Sequence, residues 1–283
     1  MSSLTTPGLS AILDSLRCPI CAGRLEVAPG ALRCHQRHTF NVARHGYVSL
    51  LSGTNAISGD DAPMIQARER FLATGIYEPI RRAVSTMVSH TILRDGIVLD
   101  VGCGTGYYLA GALDEVPGAH GLGLDSSVRA LRVAARAHER AAAASWDVFR
   151  PYPLADQSVD AVLNMFAPRN PGEFHRVLRP NGRLIVVRPT VDHLAELRRD
   201  VPDSVTIDVS KEQRLHDALA PFFEQERDQH VGYIAEIEPQ TARDLLGMTP
   251  SARHVTPAEV SDEDLPERVT ISVLASSYRL REA

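Results

Sequence analysis

Two sets of residues in this chain are spaced for chemistry. The first is Cys18, Cys21, Cys34 and His38. Pro19 and Ile20 separate the first two cysteines in a tight knuckle. Cys34 opens a second knuckle twelve residues later, and His38 closes it after three more. Thiolates and an imidazole set on two knuckles a short hairpin apart reach the corners of a tetrahedron, which is how structural zinc is held. Four protein ligands leave no position for a reactive water, so the expected role is structural. A disulfide would leave one of the three cysteines unpaired, in a chain with no sign of export. His35 and His45 are rival ligands. His35 adjoins Cys34 and would strain to share its metal, which favours His38.

The second set is Val98-Leu99-Asp100-Val101-Gly102-Cys103-Gly104-Thr105-Gly106. An apolar run ends in an acid, three glycines alternate, and an apolar helix seed follows from Tyr107 to Leu113. A second apolar run, Ala119 to Leu124, then closes on Asp125. Strand, glycine turn, helix, strand and terminal carboxylate make a nucleoside-cofactor half-site, with Asp125 placed to accept from a ribose diol. Dinucleotide sites use G-x-G-x-x-G, with a pyrophosphate on the helix N-terminus. Here the spacing is G-x-G-x-G after Asp100, which resembles the first motif of class I S-adenosylmethionine (SAM) methyltransferases. A nicotinamide site and a glycine turn without ligand are the alternatives. Cys103 reads as a small buried filler beside the cofactor.

The elements that must position these residues follow from composition and periodicity. The chain has 283 residues, 44% hydrophobic and 23% charged, with net charge −5, which suits a globular protein of one large domain and a small appendage. No apolar run approaches the ~20 residues of a membrane span, and the first ten residues lack the pattern of a signal peptide. The expected location is the cytoplasm, with no membrane partner. Arg17, Arg24, Arg33, Arg37 and Arg44 face only Glu26 across the front of the chain, a local basic surface suited to phosphate. Lys211 is the only lysine.

Residues 1–51 are expected to form the metal ribbon, 52–93 a linker and helices leading into the core, and 94–283 the cofactor domain. Ser52 to Ala62 reads as linker, and Pro63 to Leu72 and Tyr77 to Ile92 as helices parted by Gly75. Ser126 or Ser127 is expected to cap a long Ala/Arg helix running to about Ala143. A short strand closing near Asp147-Val148 should follow it. Val159 to Phe166 and Arg183 to Val187 are further strands, with a helix from Pro171 to Leu178 between them. His230 to Ile237 and Arg268 to Tyr278 look like a closing pair, one strand antiparallel. Strand–helix alternation predicts an α/β fold, a mostly parallel Rossmann-like sheet with helices on both faces.

Several further blocks then occur in order: His38-Thr39-Phe40-Asn41-Val42-Ala43-Arg44-His45-Gly46-Tyr47, Met64-Ile65-Gln66-Ala67-Arg68, Gly75-Ile76-Tyr77-Glu78-Pro79, Phe166-Ala167-Pro168-Arg169-Asn170-Pro171, His193-Leu194-Ala195-Glu196-Leu197 and Met248-Thr249-Pro250. Together with the ribbon and the glycine loop they resemble the RlmA family of 23S rRNA guanine-N1 methyltransferases over essentially the whole chain. The Phe-Ala-Pro-Arg-Asn-Pro block is similar to the class II, tylosin-resistance branch. One departure is Asn181-Gly182, where the family more often has two glycines.

The resemblance implies a class I SAM-dependent methyltransferase with a seven-stranded sheet and an N-terminal zinc ribbon. It implies zinc on Cys18, Cys21, Cys34 and His38, and SAM against Tyr77, Gly104, Thr105 and His193. The general class I pattern adds Asp100, Gly102, Gly106, Asp125 and, at the adenine edge, Asp147. The implied reaction moves the SAM methyl to N1 of a guanine in a 23S rRNA hairpin loop beside the macrolide site, with the class II target favoured over the class I guanine. Asn164, Phe166 and Pro168 follow the fourth strand, where substrate-facing groups are expected, and Tyr107, Tyr108 or Phe166 could stack a splayed base. No general base can be named. Arg33, Arg37 and Arg44 are the candidate RNA contacts, and a second copy of the chain is a further candidate partner. Two competing functions are a small-molecule methyltransferase with a structural ribbon and an RNA-binding module that uses SAM only for structure.

Overall fold

The structure, a computed structural model, describes residues 6–51, 60–92, 94–201 and 211–281. A short helix α1 (Pro7–Ile12) precedes a three-stranded antiparallel ribbon, β1 (Leu25–Ala28), β2 (Ala31–Cys34) and β3 (Thr39–Asn41). Two helices follow, α2 (Ala62–Ala73) and α3 (Glu78–Thr91). Asp61 caps α2 by accepting from the Met64 N–H at 3.0 Å, and Pro63 occupies its first turn. Most of the expected linker, residues 52–59, lies outside the described residues.

The core then runs β4 (Ile97–Val101), α4 (Tyr107–Glu115), β5 (His120–Asp125), α5 (Val128–Ala134), β6 (Ala141–Ser145), β7 (Val159–Met165), α6 (Pro171–Val177), β8 (Leu178–Pro189), α7 (Ala195–Asp200), α8 (Lys211–Leu219), β9 (Phe223–Glu236), α9 (Pro239–Gly247) and β10 (Arg268–Leu280). The seven strands lie in the order β6-β5-β4-β7-β8-β10-β9. The first five pair in parallel, and β10 is antiparallel to both its neighbours. The strand order reverses between β4 and β7, and ligands of open α/β sheets bind at such a switch point.

One expectation is corrected. The helix capped by Ser127 ends at Ala134, and the edge strand β6, Ala141–Ser145, begins within the stretch expected to be helix to about Ala143. Alanine favours helix when nothing else decides. Here the small side chains let α1 and Val48 lie almost on the strand. A Cβ at Gly8 would come 2.6 Å from the Ala141 carbonyl, and Val48 bridges to Ala144. The expected strand near Asp147-Val148 is therefore this one, and Asp147 lies two residues beyond its end. The strand expected from Arg183 begins earlier, at Leu178, and continues to Pro189.

The ribbon is not a loose appendage. Leu9, Ile12, Leu16, Leu32 and Phe40 are buried in the same apolar cluster as Leu99, Leu122 and Val162 of the sheet. The opposite face of the sheet is covered by α3, α4 and α9 through Ile80, Val84, Leu113 and Leu245. Among the described residues, no helix is long and apolar enough to cross a membrane.

Candidate functional site

The four expected metal ligands meet at one point, their donor atoms all within 4.8 Å of one another. Cys18 Sγ lies 3.5 Å and Cys34 Sγ 3.4 Å from His38 Nδ1, and Cys21 Sγ is 3.7 Å from Cys34 Sγ. A tetrahedron with Zn–S bonds of ~2.3 Å has edges of about 3.8 Å, and these three distances match such edges, so the donor set suits zinc. Each knuckle turns through a residue in the left-handed region, Ala22 (φ 55°) and Arg37 (φ 66°). The Arg37 N–H donates to the Cys34 carbonyl at 2.8 Å and the Ala22 N–H to the Cys18 carbonyl at 2.8 Å. His35 lies against Gly23, and His45 accepts from Arg44 Nε at 3.2 Å; neither is a member of the four-residue cluster.

The glycine loop needs its glycines. Gly102, Gly104 and Gly106 have φ of 75°, 53° and 80°. A Cβ at Gly102 would strike Ala167 at 2.6 Å, so the Phe166–Pro168 turn rests directly on the loop. Asp125 holds the loop shut: Oδ2 accepts from the Gly104 N–H at 2.9 Å and Oδ1 from the Ser127 N–H at 2.8 Å. Each oxygen keeps a second lone pair. Asp100 is 1% exposed and neither oxygen has a hydrogen-bond partner among the described residues. Burial, and then the charge of Asp125, push its carboxyl up to about 8. An orphaned buried acid beside a second acid suits a ligand that brings positive charge and opposes a pyrophosphate.

An aromatic wall closes this cradle. Tyr77 and His193, 116 residues apart, meet at 3.2 Å between Oη and Nε2, both buried. The Ser272 N–H donates to His193 Nδ1 at 3.1 Å, so the neutral ring carries its proton on Nε2 and donates it to Tyr77. Burial, then the nearby Arg198, push the imidazole down to about 4, so it is uncharged at neutral pH. Phe166 stacks on both rings, with centroids 6.3 Å from Tyr77 and 6.1 Å from His193. It is 41% exposed and held at φ 55°.

The chain is 41% identical to the 23S rRNA (guanine(748)-N(1))-methyltransferase of Streptomyces fradiae, over 93% of this chain and 95% of the relative. It is 43% identical to a Micromonospora griseorubida protein with a provisional assignment as a 23S rRNA (guanine-N(1)-)-methyltransferase, over 95% and 98%. Residues 16–55 match the model for the RlmA N-terminal zinc ribbon, and residues 98–182 match a methyltransferase domain. The chain belongs to the RlmA family of 23S rRNA guanine-N1 methyltransferases. It is accordingly a SAM-dependent enzyme with a structural zinc ribbon. The fold alone is shared with the crystal structure of YcgJ from Bacillus subtilis, at TM-score 0.50 and 19% identity over 71% of this chain and 99% of that one.

The RlmA blocks converge in space. Tyr77, His193 and Phe166 come from three of them and form the aromatic wall. Asn164, a candidate to face substrate, is 0% exposed; its Nδ2 donates to the Pro168 carbonyl at 2.9 Å and so fixes the turn that presents Phe166. Pro168 is exposed beside it, and Thr105 is buried in the glycine loop. Asp147 accepts from the Phe149 N–H at 3.0 Å beyond the end of β6. Tyr107 and Tyr108 are both half-buried; Tyr107 donates to Glu78, whereas the Tyr108 ring lies against the wall, its centroid 6.4 Å from that of Phe166.

Arg68, in the Met-Ile-Gln-Ala-Arg block, went unnoticed as a site residue. Its guanidinium lies over Gly104, 3.2 Å from where a Cβ would be, pairs with Asp60, and donates to the Met248 carbonyl at 3.0 Å. It thereby joins three blocks of the family pattern above the cofactor loop. The ribbon arginines Arg33, Arg37 and Arg44 are all exposed, and none pairs with a carboxylate among the described residues. Arg132 of α5 and Arg136, two residues beyond its end, extend this surface: burial, then Arg44 and these two arginines, hold His45 below its ordinary value.

Proposed function

We propose that this enzyme moves the SAM methyl to N1 of a guanine in a 23S rRNA hairpin loop, at the type of position named for the Streptomyces fradiae relative. The observation that carries the reading is Phe166, an exposed aromatic ring fixed at the mouth of the cofactor cradle in a protein whose ribbon presents Arg33, Arg37 and Arg44 without acidic partners among the described residues. RNA is read through unstacked loop bases, and an exposed ring is where such a base can stack.

Bound SAM supplies a sulfonium methyl open to direct displacement, so the protein has mainly to position and desolvate. Asp100 would face the cationic amino acid moiety, Asp125 the ribose, Asp147 the adenine edge, and the loop Gly102–Gly106 the chain between them. Tyr77 and His193 would wall the sulfonium side. His193 is no base, because its Nδ1 lone pair is taken by Ser272 and its Nε2 holds the proton. Asn164 acts through Pro168 and is a positioning residue. Arg33, Arg37 and Arg44, with Arg132 and Arg136, would hold RNA phosphates.

N1 methylation removes a Watson–Crick donor, so reverse transcriptase should stop one nucleotide before the modified guanine. Primer extension on rRNA from a strain lacking the protein tests the reading: the stop should vanish and return on complementation. A stop that persists, or returns at the class I guanine, overturns the substrate assignment. The hairpin form of the RNA, a homodimeric enzyme and protection against tylosin-class macrolides belong to the same proposal. A loop-only RNA substrate, sedimentation equilibrium and growth on tylosin test them in turn.

A further inference from the structure

We propose that Arg169, beside Arg188, forms a phosphate-binding subsite for the RNA strand that flanks the target guanine. This subsite rests on the rRNA reading above. Arg169 lies three residues after Phe166, in the turn that leads from β7 into α6. Its Nε is buried and has no hydrogen-bond acceptor, and no carboxylate pairs with it among the described residues. A buried guanidinium N–H without an acceptor carries a desolvation cost that an incoming anion relieves.

The register places a second guanidinium beside it. Met165 of β7 pairs with Val187 of β8, and the Phe166 N–H donates to the Val187 carbonyl at 3.2 Å. Arg188 therefore stands level with the turn, its Nη1 donating to Ser276 Oγ at 2.9 Å. Burial, and then the charge of Arg188, lower the Arg169 guanidinium from its ordinary value. An unmet guanidinium N–H near a second cation, at the carboxyl ends of adjacent parallel strands, suits a phosphate, whose oxygens accept from the planar guanidinium of Arg169.

An exposed aromatic residue lies on the segment to which this turn is tied. Asn170 Nδ2 donates to the Val148 carbonyl at 3.1 Å, tying the turn to the segment that carries Phe149. Phe149 is 62% exposed. An exposed ring beside a cationic groove is how single-stranded nucleic acid is held without base-specific hydrogen bonds. The subsite would thus take the phosphate of a neighbouring nucleotide and Phe149 its base, while Phe166 takes the target guanine.

The test uses zinc-loaded full-length protein and a transcript of the 23S rRNA hairpin. Arg169→Gln should weaken transcript binding about tenfold and make its salt dependence shallower by about one phosphate contact. Arg169→Lys, which keeps the charge but not the fork, should recover the salt dependence and only part of the affinity. SAM affinity without RNA should be unchanged in both. A folded Arg169→Gln variant with wild-type transcript affinity and salt dependence overturns the subsite. Weakened SAM binding without RNA assigns the anion to the cofactor's carboxylate and also overturns it. Failure of the wild-type enzyme to methylate the transcript instead overturns the underlying rRNA reading, and the subsite with it.

Discussion

The zinc ribbon and the cofactor cradle solve the same problem, bringing a few polar side chains to one point, at opposite ranges of the chain. Cys18 and His38, the outer metal ligands, are 20 residues apart. Tyr77 and His193 are 116 apart, and they meet only because β8, β10 and α3 are stacked in one core. The ribbon's geometry is local and completed by a metal. The cradle's geometry is tertiary and completed by the sheet. The first should fail when one ligand is lost, the second by degrees.

The largest effect expected is on the ribbon. Cys21→Ser, or zinc removal by a chelator, should abolish rRNA methylation while changing the SAM dissociation constant less than about twofold, because structural zinc contributes folding free energy only where it binds. Metal analysis should find one zinc per chain in the wild type and none in the variant. Calorimetry then decides the comparison. If SAM binding falls with the zinc, the apolar cluster shared by Leu16, Leu32 and Leu122 makes ribbon and sheet one cooperative unit, and the contrast between the two regions breaks.

Next come the acids of the cradle. Asp125→Ala should weaken SAM binding by roughly 1.5–3 kcal/mol, since charge-assisted hydrogen bonds to the ligand and to the Gly104 and Ser127 N–H groups are lost together. An unchanged calorimetric affinity would show that Asp125 merely shapes the loop. Asp100 adds a pH signature. Its carboxyl titrates at about 8, above the ~3.9 of an unfolded aspartate, so the stability it contributes in the protonated form is lost as pH rises through about 8. A cationic ligand favours the ionised form. SAM binding at pH 7 should therefore release a proton, visible as a dependence of binding enthalpy on buffer. Asp100→Asn should remove that release; its persistence would place the titrating group elsewhere.

How much of this was legible in the sequence follows the same divide. The metal set and the glycine loop could be read directly, because knuckle spacing and left-handed turns are short-range demands. The wall could be read only through the family resemblance. Nothing in the spacing of Tyr77, Phe166 and His193 brings them together. The hold of Asn164 on the Pro168 carbonyl was not legible for a physical reason: β7 is covered on both faces, so alternation gives no sign of which residues point toward the site. Ala141–Ala144 reads as helix until the close approach of α1 and Val48 is known. Arg68 shows its role only when Gly104 lies beneath it.

The smallest effect sharpens the comparison most, because it touches a contact between residues 116 apart. Tyr77→Phe removes one hydroxyl and leaves the ring, which packs edge-on to Phe71 at 4.9 Å and stacks with Phe166. The loss should be ~0.5–1.5 kcal/mol, the net value of one buried hydrogen bond, seen as a raised KM for SAM with kcat little changed. His193, left with Nε2–H facing a ring, should then show its pH dependence more strongly. The folded imidazole resists protonation down to about 4, whereas the unfolded one takes a proton near ~6.5. Stability held above pH ~6.5 is therefore lost as pH falls toward 4. His193→Gln should flatten the fall in melting temperature over that window. If the slope is the same in the glutamine variant, the wall is held by ring packing alone, and the cradle is no more sensitive to the Tyr77–His193 hydrogen bond than the ribbon is to any contact outside its metal.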